Sequence, residues 1–84
     1  KSHVNPYIVV IRCADHDSEA AATEFLRKQV QRLVVKSKTV QKGSVELNAE
    51  VRMRDDNTDF INILSEMTGV TSAVLVSYNG DYMG

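Results

Sequence analysis

One cysteine, Cys13, is the first constraint on this chain. It rules out an internal disulfide and any all-cysteine metal site, and it suits a reducing compartment. One proline and four glycines are too few for a low-complexity or disordered chain, and 43% hydrophobic with 25% charged residues is a globular balance. A net charge of -1 leaves no global basic field to recruit nucleic acid or anionic lipid. The longest apolar run, Tyr7–Ile11, is far too short to cross a bilayer, and no signal peptide is recognisable. Internal repeats and linkers are missing too. These absences leave one small domain over residues 1–84. A chain of this length buries only roughly 60–65% of its unfolded surface, so its stability depends on good packing or on association. It starts at Lys1 rather than methionine, and we expect a fragment of a longer protein.

What is present is organised around Val45–Met53. Apolar and polar residues alternate there without a break, the period-2 signature of a strand with one buried and one wet face. Val45, Leu47, Ala49, Val51 and Met53 need cover, and the remaining segments can supply it. Lys1–Pro6 reads as a lead-in. Tyr7–Cys13 is β-branched and apolar on both faces, as in a central strand. Asp17 or Ser18 can N-cap a helix that runs from Glu19 to about Gln31–Leu33. Its apolar face carries Ala22, Phe25, Leu26, Val30 and Leu33. Leu33–Val40 turns β-branched. After Met53, Asp55, Asp56, Asn57, Thr58 and Asp59 form a capping cluster. A second helix then places Phe60, Ile63, Leu64 and Met67 on one face, and Gly69 ends it. Thr71–Tyr78 is the last strand, followed by a turn at Asn79–Asp81 and a short tail.

The hairpin around Gly43 admits two registers. A two-residue turn at Lys42-Gly43 sets Lys36 and Lys38 opposite Ala49 and Leu47, on the buried face. A three-residue loop pairs Thr39 with Leu47, Ser37 with Ala49 and Val35 with Val51. The second keeps lysine out of the core and is the register we expect, with both lysines pointing to water from an edge strand. The element order, strand-helix-strand-strand-helix-strand, corresponds to two split βαβ units. It predicts an α+β ferredoxin-like sandwich: a four-stranded antiparallel sheet, spatial order fourth-first-third-second, with two helices on one face.

This fold hosts many functions, so the residues must decide. A metal chaperone needs two thiols after the first strand, and Cys13 stands alone. An RNA-binding module needs aromatic and basic residues on the open sheet face, where the third strand has Glu46 and Glu50. An acylphosphatase-type cradle needs glycines and an arginine where this chain has Asp15-His16-Asp17. Small-molecule sensing is the remaining use, and the loop Asp15, His16, Asp17 and Ser18 is its candidate ligand site. For a divalent cation, three adjacent residues rarely converge, and a cap with a solvated turn accounts for Asp15–Asp17 better. Asp55, Asp56 and Asp59 lie at the opposite end of the sheet and read as a cap. No serine has a base partner set by sequence, and His3 reads as solvated. We expect no catalytic residues, no metal and no cofactor.

The element order and the Gly69-Val70 step resemble amino-acid-binding regulatory (ACT) domains, although their ligand loop usually carries a glycine absent here. Val45-Glu46-Leu47-Asn48-Ala49-Glu50-Val51-Arg52, Asp59-Phe60-Ile61, and Gly69-Val70 with Val74–Tyr82 carry a second likeness. Over about half the chain they resemble the C-terminal cytosolic domain of an uncharacterised family of bacterial multi-pass inner-membrane proteins. Members of that family accompany polyphosphate-polymerase-like (VTC domain) proteins. MgtC-type transport proteins carry a similar ACT-like C-terminal domain. The resemblance implies a membrane-embedded remainder of the same chain, and a domain on the cytoplasmic side of a bacterial inner membrane. The expected function is that of a non-enzymatic regulatory or oligomerisation domain. It would form homo-oligomers through the sheet face or an edge strand, with no nucleic-acid partner. The alternative is an ACT-type small-molecule or metal-ion sensor.

Overall fold

The computed structural model describes residues 5–53 and 55–77. Six elements follow in the order β1 (Asn5–Cys13), α1 (His16–Gln29), β2 (Arg32–Gln41), β3 (Ser44–Met53), α2 (Asp59–Ser65) and β4 (Val70–Ser77). The strands form one antiparallel sheet in the order β2-β3-β1-β4, as the element order requires. This is the α+β ferredoxin-like arrangement.

The alternation in β3 sets the layering. Val45, Leu47, Ala49, Val51 and Met53 are all buried, while Glu46, Asn48, Glu50 and Arg52 face the other way. Val9, Ile11 and Cys13 of β1 lie opposite Ala49, Leu47 and Val45 and extend the same apolar face. Ala22 and Leu26 from α1, and Phe60 and Leu64 from α2, close over it. The other face has no second layer among the described residues.

Several local expectations shift. α1 starts at His16, not Glu19, because Asp15 rather than Asp17 or Ser18 is the N-cap: its carboxylate accepts a bond from the Ser18 amide at 2.8 Å. The helix ends at Gln29, short of Gln31–Leu33, since Val30 is already extended. The Gln31 amide then bonds the Arg52 carbonyl at 2.8 Å and tethers the connection to the end of β3. Leu33 therefore belongs to β2, not to the helix face. α2 ends at Ser65 with Glu66 as its C-cap, so Met67 and the expected stop at Gly69 fall beyond it; Phe60 and Leu64 are buried as expected, but Ile63 is 55% exposed. Ile61 packs against the core instead, so the covered face of α2 carries Phe60, Ile61 and Leu64. Asp55 and Asn57 accept bonds from the amides of Asn57 and Asp59, so this cluster builds the approach to α2 as a chain of side-chain turns. β1 takes in Asn5 and Pro6 from the supposed lead-in. Tyr78, the turn at 79–81, the tail and His3 lie outside the described residues.

The hairpin register is the main correction. Gln41 pairs with Ser44, so the turn is the two-residue Lys42-Gly43, with Gly43 at φ +74°. Lys38 does fall opposite Leu47, on the helix side. A bulge between Val35 and Ser37 then shifts the register by one residue, which takes Lys36 off that face and sets Val35 opposite Ala49. Lys36 instead lies 3.9 Å from Glu50 on the open face. Lys38 keeps 40% of its side chain exposed, as expected, but leans onto α1: its Nζ lies 3.3 Å from Glu19 Oε1. Glu19 is buried, one turn before Ala22 on the core stripe of α1. A helix carboxylate thus holds the Lys38 amine at the rim of the helix layer. We expect Lys38→Met to lower unfolding free energy by about 1–3 kcal/mol, because it leaves Glu19 buried without its amine. Lys36→Met should stay within about 0.5 kcal/mol. Urea titrations of both variants check this, and equal losses would count against the Lys38–Glu19 pair.

Candidate functional site

The sequence points to the β1–α1 loop, and the structure shows how its groups are used. β1 delivers Cys13 into the core, and the chain turns at Ala14, whose amide donates to the Gly69 carbonyl at 2.8 Å. Asp15 caps α1. The Ser18 amide bond holds the Asp15 carboxyl below its usual range. Asp17 is exposed in the first helical turn, where a negative charge suits the helix dipole. His16 Nδ1 lies 3.5 Å from Glu19 Oε1, and Thr23 Oγ1 donates to Glu19 Oε2 at 3.5 Å.

The candidate residues therefore divide. Asp15 and Ser18 come together, but to each other. His16 turns toward Glu19, and Asp17 joins neither. Among the described residues no three His, Cys, Asp or Glu side chains are grouped to hold a metal ion. Burial, reinforced by Glu19 and Asp15, pushes the Cys13 thiol up. The thiolate form is suppressed, so this cysteine acts as a small core residue. Glu19 was missed in the sequence reading, although its spacing to Ala22 and Leu26 put it on the buried stripe.

Gly69 completes this end of the molecule. Its φ is +82°, and a Cβ there would fall 1.7 Å from Ser18 Oγ and 2.5 Å from Ser18 Cβ. The turn before β4 packs directly on the first turn of α1, so only glycine fits both the dihedral and the space. The β1–α1 loop is closed by this contact.

The other end of the fold is more open. The end of α1, the β3–α2 segment and α2 surround a hollow of about 540 Å³. Met53, Phe60 and Ile63 supply its apolar part, and Asp55, Asn57 and Asp59 its polar rim. Tyr7 donates to Asp56 at 3.1 Å and ties this segment to β1. The two acidic clusters lie at opposite ends of β1 and β3, so they cannot form one site.

The open sheet face is divided lengthwise. Along β3 it is charged: Arg12 of β1 meets Glu46 at 2.6 Å, and Arg52 meets Glu50 at 2.9 Å, with Val34 of β2 opposite Glu50. The Arg12 guanidinium holds the Glu46 carboxyl below its usual range. Over β1 and β4 the same face presents Ile8 and Val10 beside Val76 and Val74.

No family model matches this chain, and no curated protein does. A solved structure does share its architecture. This is the fold of the MgtC C-terminal domain. The solution structure of that domain from Mycobacterium tuberculosis superposes with a TM-score of 0.72, covering 95% of this chain and 94% of that one. Identity is 13%, so the likeness to MgtC is one of fold and not of side chains.

Two tests address the loop. Gly69→Ala should destabilise by roughly 2 kcal/mol or more, from the left-handed dihedral and the displaced Ser18 side chain. Ser18→Gly in the same chain should restore part of that loss, and purely additive effects in the four-variant cycle would refute the contact. The Asp15 carboxyl has a depressed folded pKa, so the stability it adds is complete above its unfolded pKa. That contribution disappears as pH falls through the folded value. Melting curves of wild type and Asp15→Asn should therefore differ at neutral pH and converge in acid.

Proposed function

We propose that this chain is a non-enzymatic regulatory and assembly domain of an MgtC-like membrane protein, carried at its C-terminus on the cytoplasmic side. The observation that carries this reading is the end-to-end match in fold to a domain itself defined as the C-terminal domain of MgtC. The chain has no helix long and apolar enough to cross a membrane among its described residues, so on this reading the membrane segments belong to the rest of the protein. The loop chemistry supports it as well. Asp15 and Ser18 are spent on each other, which leaves the fold its surfaces to act through. The proposed action is self-association through the sheet. The link to VTC-type proteins rests on the residue resemblance alone.

A second reading, ligand sensing, is favoured by the hollow beside α2. Its apolar floor and acidic rim suit an amine or a cation more than an anion.

Cell fractionation with an antibody to this domain tests the first reading. The native protein should sediment with membranes, and limited proteolysis should release a soluble fragment that still contains the domain. Recovery of the whole protein in the soluble fraction would overturn it. A thermal-shift screen with amino acids, nucleotides, phosphates and divalent cations separates the second reading. Ligand at a hundredfold excess over Kd raises stability by about 2.7 kcal/mol, so binding is easily seen. A saturable shift abolished by Asp59→Asn would favour sensing, and flat responses would remove it.

A further inference from the structure

The hollow beside α2 lies where three elements stop short of one another. α1 ends at Gln29, α2 has only 7 residues, and β3 closes at Met53 opposite Asn5. The space between them, about 540 Å³, is of the size that holds small organic molecules. Its apolar part joins the core to the surface: Met53 and Phe60 are buried, while Ile63 lines the hollow with more than half of its surface in water. Its charge has one sign. Asp55 and Asp59 line it, and none of the described lining residues is basic. Elsewhere acids are answered by bases: Glu24 by Lys28 at 3.8 Å, Glu46 by Arg12 at 2.6 Å and Glu50 by Arg52 at 2.9 Å. Among the described residues no lysine, arginine or histidine pairs with Asp55 or Asp59. An uncovered apolar side chain and uncompensated negative charge thus border the same space.

We propose that this hollow takes a small organic cation, a primary ammonium carried on a short arylalkyl or alkyl body. The inference rests on the ligand-sensing reading above and names its ligand class. The ammonium pairs with the Asp59 carboxylate, with Asp55 adding to the local negative potential. The apolar body covers Ile63 and Phe60, so the exposed surface of Ile63 leaves water in the same event. Both halves are needed, because an ammonium loses hydration only against a counter-charge, and an alkyl chain gains only against apolar surface. Other classes match one half or neither. A bare divalent cation gains nothing from the apolar floor, and no three His, Cys, Asp or Glu among the described residues are grouped to hold it. An anion meets two carboxylates. A zwitterionic amino acid brings its own carboxylate to a rim whose described residues include no base.

Phenethylamine titrated into the isotope-labelled chain, followed by amide chemical shifts, tests this. Saturable shifts should gather on Asn57, Asp59, Phe60 and Ile63 at about millimolar ligand. Asp59→Asn should weaken binding about tenfold through the lost charge. Ile63→Ser should weaken it about threefold or more through the lost apolar contact. Asp17→Asn, an exposed acid on α1 at the other end of the sheet, should leave it unchanged. All three replaced side chains are exposed, and circular dichroism of each variant checks the fold. Unaltered affinity in Asp59→Asn and Ile63→Ser, or shifts gathered on the open sheet face, would overturn the proposal. An equal response to ammonium chloride would overturn it too, since the apolar body would then contribute nothing. If phenethylamine has no effect while magnesium chloride or phenylalanine raises the melting temperature in an Asp59-dependent way, the ligand class is wrong and the sensing reading stands. Flat responses to all of them would overturn both.

Discussion

One-sided burial of β3 is the constraint on which the rest depends. Val45, Leu47, Val51 and Met53 leave water together, each contributing about 1.5–3 kcal/mol relative to exposure. They can do so only under a second layer, and two short helices provide it. α1 adds Ala22 and Leu26, α2 adds Phe60 and Leu64, and the two helices touch each other above the sheet. β1 must then be central, because its own inward residues continue the face of β3. β2 and β4 become edges by exclusion. In a chain this small, no part of that core is redundant.

The same constraint shapes the surface. A sheet covered on one side leaves the other to solvent or a partner. Here the open face divides into a charged half, neutralised by Arg12–Glu46 and Arg52–Glu50 pairs, and an apolar half over β1 and β4. The charged half suits water. The apolar half adjoins β4, an edge strand without a charged residue. The fold and the character of its open face are therefore linked through the alternation of the strands.

The β1–α1 loop shows how residues that look chemical can serve the backbone. Asp15 occupies an orphan amide of α1, and Ser18 provides the wall that Gly69 packs against. Glu19, which drew no notice as a site, is the buried charge of this region, held by Lys38 and Thr23 with His16 nearby. The hollow beside α2 has the opposite character. Its Asp and Asn groups lie at an open surface, because the two-turn α2 leaves Ile63 uncovered.

The sequence by itself determined what depends on short-range periodicity. The period of two in Val45–Met53, the apolar run of β1 and the helical spacing of Ala22 and Leu26 were all legible. With the rules for joining strands, they fixed the order of the sheet. Tertiary structure alone decided the register of β2, the bulge at Lys36 and the pairing of Lys38 with Glu19. A hairpin that sets lysine on the helix side of the sheet looks unfavourable when its own strand is considered alone. It becomes favourable only because a carboxylate from α1 lies within 3.3 Å across the fold. The free energy of that placement belongs to a pair distant in sequence, and no local pattern around either residue records it.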